Sequence, residues 1–415
     1  MPLYGAMPAS LKLNVLILFQ PCGQVEALLA ERGRRLRPEV ATSALAIERR
    51  SQYNYRQSVF SWRGAMNRRI VTLAAVALGA LALTACGQKD APVDKAGQAG
   101  VLNLYTARHY DADQKLYDLF AEKTGIEVKR IEGKPDELIA RMKAEGANSP
   151  ADIFIAADAG ALWRAQDAGL FQTTNSGTLN QTIPANLRAP DGQWFGFSRR
   201  ARVVAYDPAK VKPEEIDDYA KLAGPRFKGK LCVRSGDNVY NLSLVGALIE
   251  AWGPERAKQW VEGVVANMAR PPEGGDRDQI RAVAAGVCEV ALTNSYYFIR
   301  MAAGDDAGDH QIAEKLTLGF PSLDGQGSHV NISGGGVAAH APNRENAVKF
   351  LEFLASPEAQ AIVTQSNYEY PAVADAAPAE AVAPYAGFKA NPMSVARYGV
   401  HQAQAQSMIS AAGWR

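Results

Sequence analysis

The residues that first suggest chemistry are phenols. In TNSYYFIRM, Tyr296 and Tyr297 stand side by side just after the strand-like run CEVALTN, and Arg300 follows in the same segment. If a helix begins at that junction, Arg300 lies one turn beyond the pair on the same side. Tyr110 follows VLNLYTA and Tyr240 follows KLCVRS, so all four phenols come after strand-like runs, where open α/β sheets place their ligands. A free Tyr has a pKa of about 10 and stays neutral at pH 7. A trivalent cation in contact reverses this, because a bound ion is the largest local charge and can deprotonate its ligand. So hard an ion favours anionic oxygen over thiolate. The chain contains 15 Tyr, however, and a Tyr-Tyr pair alone is more often packing or surface than ligation.

The elements that must position these side chains follow from hydrophobic periodicity. VLNLYTA reads as a strand, ADQKLYDLFAEKTG as an amphipathic helix ending at Gly125, IEVKRIEG as a strand, PDELIARMKAEG as a helix closed by Gly146, and ADIFIAA as a strand. That β-α-β-α-β order predicts an open, mostly parallel sheet. The long run FGFSRRARVVAYDP, with three Arg, suits a crossing between two lobes better than a core strand. A second unit follows: KGKLCVRS as a strand, three helices through RDQIRAVAAG, the CEVALTN strand and the YYFIRMAAG helix. LTLGFPSLDGQGSHVNISGGGVAAHAP then returns to the first unit, and NRENAVKFLEFLASPEAQAIVTQ forms a helix pair. A chain that passes into a second lobe and back has the layout of a two-lobe clamp.

Composition removes several classes. At 47% hydrophobic and 21% charged, with only 4 Cys in 415 residues, the chain is neither disordered nor a disulfide scaffold. The net charge of +2 hides an asymmetry, because residues 86–415 carry 34 Lys and Arg against 39 Asp and Glu. That portion is mildly acidic, which argues against nucleic acid as a partner. From Met66, MNRRIVTLAAVALGALALTAC gives a charged start, an apolar stretch and a Cys, the pattern of a secretory signal. The apolar run is shorter than the roughly 18 residues of a spanning helix. Leu83-Thr84-Ala85-Cys86 resembles the lipobox of bacterial lipoproteins, in which the Cys is lipidated and becomes the mature N-terminus. The expected organisation is therefore a non-native upstream extension over 1–65, a lipoprotein signal over 66–85 and a flexible tether over 86–99.

Beyond this point the sequence resembles the periplasmic solute-binding proteins of ABC importers, and more narrowly their ferric-iron-binding branch. The general likeness rests on ADIFIAADAGALWRAQDAGLF and AVKFLEFLASPEAQ. The narrower one rests on YTARHY, IEGKPDELIARMKAEGANSPAD, SRRARVVAYDP, CVRSGDNVYN, TNSYYFIRM and NYEYPA. The resemblance implies a type II two-lobe fold with a hinge of two crossing strands and a ligand site in the cleft. One lobe would comprise 100–198 with about 320–375, the other about 199–319 with about 376–415. It implies Fe(III) held by Tyr110, Tyr240, Tyr296 and Tyr297, with Arg300 behind them. Four phenolates on Fe(III) sum to −1, which one Arg cancels.

Other residues carry weaker expectations. His109 is either a fifth ligand or, as expected, a residue behind the ligands. Arg108, Arg200 and Arg202 either hold a synergistic anion such as carbonate by forked hydrogen bonds or form ordinary ion pairs. His329 and His340 are expected to be structural, and Tyr368 and Tyr370 to pack in the cleft wall. Cys232 and Cys288 each lie eight residues before a proposed ligand. A disulfide between them is expected in an exported compartment, with two buried thiols as the alternative. No HExxH, G-x-S-x-G or P-loop motif is present, so an enzyme has little support. The expectation is a monomeric, non-catalytic, lipid-anchored protein of the periplasm or cell surface that delivers iron to an ABC permease. A clamp of the same fold for a polyamine, thiamine or sulfate is the alternative.

Overall fold

The first strands form where short β-branched and aromatic runs alternate with helices that carry a single apolar stripe. The computed structural model describes residues 100–108, 110 and 112–415, so the extension, signal, Cys86, tether and His109 lie outside the described residues. The chain runs through β1 (Val101–Ala107), α1 (Asp113–Thr124), β2 (Glu127–Glu132), α2 (Pro135–Glu145), β3 (Ile153–Ala156) and α3 (Ala159–Asp167). The α1 stripe buries Leu116, Tyr117 and Phe120, and the helix stops at Gly125, whose φ of 70° a glycine adopts without steric cost. Proline opens α2, where its missing N–H is no loss. β1 pairs in parallel with both β2 and β3, as strands joined through helices do.

The elements that matter next include β4 (Phe195–Tyr206), β5 (Leu231–Cys232), α4 (Val239–Trp252), α5 (Pro254–Asn267), α6 (Asp276–Ala284), β6 (Val290–Asn294) and α7 (Ser295–Ala303). They are followed by β7 (Thr317–Gly319), β8 (Val330–Val337), α8 (Arg344–Leu354), α9 (Pro357–Asn367), β9 (Tyr370–Pro371), α10 (Ala396–Val400) and α11 (Gln402–Ala411). The sheet order is β2-β1-β3-β8-β4-β6-β5, with β7 and β9 also on β4.

The sheet is mixed, which corrects the mostly parallel expectation. Parallel pairing is confined to β1/β2, β1/β3 and β5/β6. β8 runs antiparallel to β3 and β4, and β4 runs antiparallel to β6. The crossover rule governs strands joined through helices, whereas β8 returns from the far side of the molecule and enters against its neighbours. β4 does connect the two sides, as a crossing should, but it is also buried along almost its whole length. Its first part pairs with β8 and its second with β6 and β7.

One apolar core gathers Leu104, Phe154 and Phe350 around β1, β3 and α8. Another gathers Leu244, Trp260 and Leu292 around α4, α5 and β6. Between β3 and β4, strand β8 carries Gly334-Gly335-Gly336, and a Cβ on Gly334 or Gly336 would run into the backbone oxygens of Phe195 and Gln193. Only glycine permits so close an approach of three strands.

His329, just before β8, is 2% exposed, its ring packs on Tyr398 with centroids 4.7 Å apart, and its Nδ1 has no partner. Burial, reinforced by the Arg202 charge, pushes its pKa down to about 3. The neutral ring is therefore favoured in the fold, and its contribution is complete above the unfolded value of about 6.5 and is lost progressively as pH falls toward 3. Between pH 6.5 and 5, unfolding free energy should fall by up to about 1.4 kcal/mol per pH unit more steeply than in His329→Asn, measured by denaturant titration at each pH. Equal slopes for the two proteins would refute this.

Candidate metal centre

Each phenol sits at the start of a helix or at the exit of a strand. Tyr110 follows β1, and its carbonyl accepts from the Asp113 N–H at 2.9 Å as α1 begins. Tyr240 is in the first turn of α4, where the Asn238 side chain caps the helix by accepting from the Tyr240 N–H at 3.0 Å. Tyr296 and Tyr297 occupy the first turn of α7, directly after β6. Strand ends followed by helix starts thus aim four aromatic side chains at one place.

Three of these segments meet through oxygen. The Tyr296 Oη lies 3.2 Å from the Tyr110 Oη and 3.2 Å from the Tyr240 Oη. The rings of Tyr296 and Tyr297 lie 4.2 Å apart, and Tyr110 meets Tyr296 edge-on at 6.2 Å. Tyr296 is fully buried, while the other three are half-buried. Desolvation raises all four phenol pKa values above the ordinary 10. At Tyr296 the neighbouring phenols Tyr110, Tyr240 and Tyr297 push in the same direction, and Arg200 opposes them. In this state the cluster is therefore a set of neutral, hydrogen-bonded phenols.

Behind the phenols lies a layer of buried ion pairs. Ser198, Arg200 and Arg202 alternate along β4 onto one face, as strand geometry dictates. Arg200 gives Nε and Nη2 to Glu369 at 3.0 and 2.6 Å, Nη1 to the Ala157 carbonyl at 2.8 Å, and also bonds Ser333. Arg108 forks onto Asp113 through Nε and Nη2, each at 2.9 Å, and its Nη1 reaches Glu369 at 3.4 Å. Arg202 donates to Asp276 at 2.6 Å, to Asn294 at 3.2 Å and to Asn241 at 2.8 Å. Burial alone would raise the Glu369 carboxyl, but the Arg200 and Arg108 charges, with hydrogen bonds from Arg200 and Ser198, hold it below the usual carboxylate range.

The structure thus turns Arg108 and Arg200 onto Asp113 and Glu369, and Arg202 onto Asp276, Asn294 and Asn241, with the Arg202 Nε buried without a hydrogen-bond partner. The guanidinium carbons of Arg108 and Arg200 stand 4.8 and 6.0 Å from the ring centroids of Tyr110 and Tyr296. Arg300 lies within α7, and its guanidinium is 6.0 Å from the Tyr368 ring. Tyr368 takes a left-handed conformation at the end of α9. Tyr370 is buried and donates to the Tyr385 carbonyl at 2.9 Å. Cys232, at the end of β5, is joined to Cys288, just before β6, by a disulfide. It ties together the two strands that lead toward Tyr240 and toward Tyr296.

Sequence reasoning missed Glu369, Asp276 and Arg234. Glu369 hides between two tyrosines in NYEYP, just after the left-handed Tyr368 that ends α9 and just before β9. Asp276 opens α6 and accepts the Asn294 N–H at 2.7 Å, so it steadies the residue that begins the Tyr296–Tyr297 helix. Among the described residues no three His, Cys, Asp or Glu side chains gather into a metal-holding group. The donors that converge here are phenolic, and phenolate oxygen suits a hard, highly charged cation.

Residues 115–390 match the family described as bacterial extracellular solute-binding protein. The chain belongs to that family. Among individual relatives of this solute-binding protein, Iron uptake protein A1 of Synechocystis sp. is 46% identical over 348 residues, covering 83% of this chain and 97% of that protein. Of solved structures, the Trichodesmium protein IdiA, or FutA, in complex with iron and citrate is 52% identical, with a TM-score of 0.73, covering 76% of this chain and 100% of that one. The ferric binding protein of Campylobacter jejuni is 39% identical, with the same TM-score of 0.73 and the same coverage of the two chains. The solute-binding protein therefore has the mixed α/β, two-lobe architecture of these periplasmic iron-binding structures.

Two stability predictions follow from this layer. Glu369→Leu removes the shared carboxylate from two buried guanidiniums and should cost about 3–5 kcal/mol in unfolding free energy. A loss below about 1 kcal/mol would show that the pair is not the support described. Replacing both Cys232 and Cys288 by Ser should lower stability by about 2–4 kcal/mol, read by denaturant titration under non-reducing conditions. An unchanged midpoint would exclude a stabilising crosslink.

Proposed function

We propose that this protein captures Fe(III) outside the cytoplasm with the phenolates of Tyr110, Tyr240, Tyr296 and Tyr297 and delivers it to an ABC-type permease, with no catalysis of its own. The observation that carries the reading is the convergence of phenols from three separate segments, with two Oη–Oη distances of 3.2 Å around Tyr296. Relatives named for iron uptake and ferric binding support it. Tyr110 belongs to the lobe of 100–198 and 320–375, and the other three phenols to the lobe of 199–319 and 376–415, with β4 and β8 crossing between them. Iron would then bridge the lobes, and the closed form would be selected because only it completes the coordination shell. Cys86 would carry the lipid that keeps the protein at the membrane, and His109 and Arg300 would stand behind the phenols. Carbonate or citrate could complete the shell.

The chemistry is an exchange of protons for a metal ion. Desolvation holds the free phenols neutral, so each ligand must lose a proton as iron binds. Because the phenol pKa values are raised, protons compete more strongly than at a free Tyr, and lowering the pH favours release.

Fe(III) added to the mature protein should produce an intense phenolate charge-transfer band saturating at one iron per chain. It should fall in Tyr296→Phe and in Tyr297→Phe. Under chelator-buffered iron, occupancy should drop by more than about tenfold per pH unit on acidification, since more than one proton is exchanged. A protein that gives no band and binds no iron tightly would instead be a clamp for an organic or oxyanion ligand, to be sought among polyamines, thiamine and sulfate.

A further inference from the structure

Asp158 is a carboxylate buried to 1% exposure, and every donor it meets among the described residues is neutral. A charge in that position is costly unless fixed donors replace its water. Four do so: the Ala161 N–H of α3 at 3.1 Å, Asn331 Nδ2 of β8 at 2.7 Å, Ser243 Oγ of α4 at 2.7 Å and Gln402 Nε2 of α11 at 3.3 Å. Gln402 also reaches Ser243 at 3.1 Å, and Arg164 holds its amide oxygen, which turns the amide nitrogen toward the node. A Cβ on Gly160 would overlap the Gln402 amide, so glycine is what lets this leg approach.

The place of the node matters as much as its bonds. β1 and β3 run parallel with Ala107 opposite Ala156, so Tyr110 and Asp158 leave the sheet at the same end. Ser243 lies three residues beyond Tyr240 in α4, on the same side of that helix. Asp158, Ala161 and Asn331 belong to the lobe that carries Tyr110, whereas Ser243 and Gln402 belong to the lobe that carries the other three phenols. One lobe thus brings the carboxylate and the other brings two of its donors.

We propose that Asp158 is the latch of the clamp, a positioning residue that accepts from Ser243 and Gln402 across the cleft and so sets how fast iron leaves without touching the metal. This rests on the Fe(III) reading above and deepens it by naming what regulates release from that site. When the lobes part, Asp158 keeps Ala161 and Asn331 and exchanges Ser243 and Gln402 for water. When they meet, the two charge-assisted bonds form again in a drier place, where they are stronger. Closure then rests on these bonds as well as on iron, and the coordination shell is the same with or without them.

The test compares Ser243→Ala, Asp158→Ala, the double variant and Gly160→Ala, which crowds Gln402 away from Asp158 while leaving every polar group of the node in the chain. Each mature protein is loaded with Fe(III) and mixed with excess EDTA, and the decay of the phenolate charge-transfer band gives the release rate. Ser243→Ala should lose iron about tenfold faster than the wild type, with unchanged intensity per bound iron and an unchanged rate of capture. Gly160→Ala should also release faster. The double variant should be no faster than Asp158→Ala, because the two residues act through one bond.

Wild-type release in both Ser243→Ala and Gly160→Ala overturns the proposal, whatever happens to their unfolding midpoints, since a merely structural node would lower the midpoint alone. Additive effects in the double variant overturn it too, and so does a lower intensity per bound iron in Asp158→Ala, which would place Asp158 in the metal shell. Should Asp158→Ala fail to fold, Ser243→Ala and Gly160→Ala still decide. A wild type without any band would sink the Fe(III) reading itself, a result distinct from a normal band that decays at one rate in all the proteins.

Discussion

Everything near the phenols depends on keeping arginines charged in a place where charges are expensive. An isolated ion taken from water into a protein interior costs several kcal/mol even after relaxation, so a bare guanidinium behind each tyrosine would not survive folding. The chain solves this by pairing the guanidiniums with buried carboxylates. Glu369 holds Arg108 and Arg200, and Asp276 holds Arg202 and Arg234. Each guanidinium is then fixed with one side on a carboxylate and, for Arg108, Arg200 and Arg234, a ring on the other. Neutral phenols are stable beside such cations, and ionised phenols more so.

The same constraint suits β4, which pairs with β6, β7, β8 and β9. A strand turns alternate residues to the same face, so Ser198, Arg200 and Arg202 form a row about 6–7 Å apart. One end of that row meets Glu369 and the other meets Asp276. No helix could carry charges in a straight line from one core to the other and pair with strands on both sides. The close packing of β8 against β3 and β4, possible only at its glycines, keeps this strand buried and the row dry.

The local elements were largely legible in the sequence, because strand and helix periods and the stops at Gly125 and Gly146 are short-range signals. The phenol positions were legible through motif likeness and through their place after strand-like runs. The supporting layer was not. Glu369 meets Arg200 across 169 positions and Arg108 across 261, and nothing in the local spacing of NYEYP marks that pairing. Arg108, Arg200 and Arg202 looked equally suited to an anion or to ion pairs, and only the fold supplies the carboxylates that occupy them. The mixed sheet escaped for a related reason. Crossover handedness constrains strands joined by a helix and says nothing of one that returns from a distant excursion.

A second polar node shows how the two cores are kept in register without being welded. Asp158 caps α3 by accepting the Ala161 N–H at 3.1 Å, and its other oxygen accepts Ser243 Oγ of α4 and Asn331 Nδ2 of β8, each at 2.7 Å. Gln402 of α11 donates to both Asp158 and Ser243. These are neutral donors to one buried carboxylate, each bond contributing on the order of 1–3 kcal/mol. A purely apolar contact between α3 and α4 would be held by area and would slide. Directional bonds instead fix one arrangement of α3, α4, α11 and β8, because each donor must keep its distance and angle to a shared acceptor.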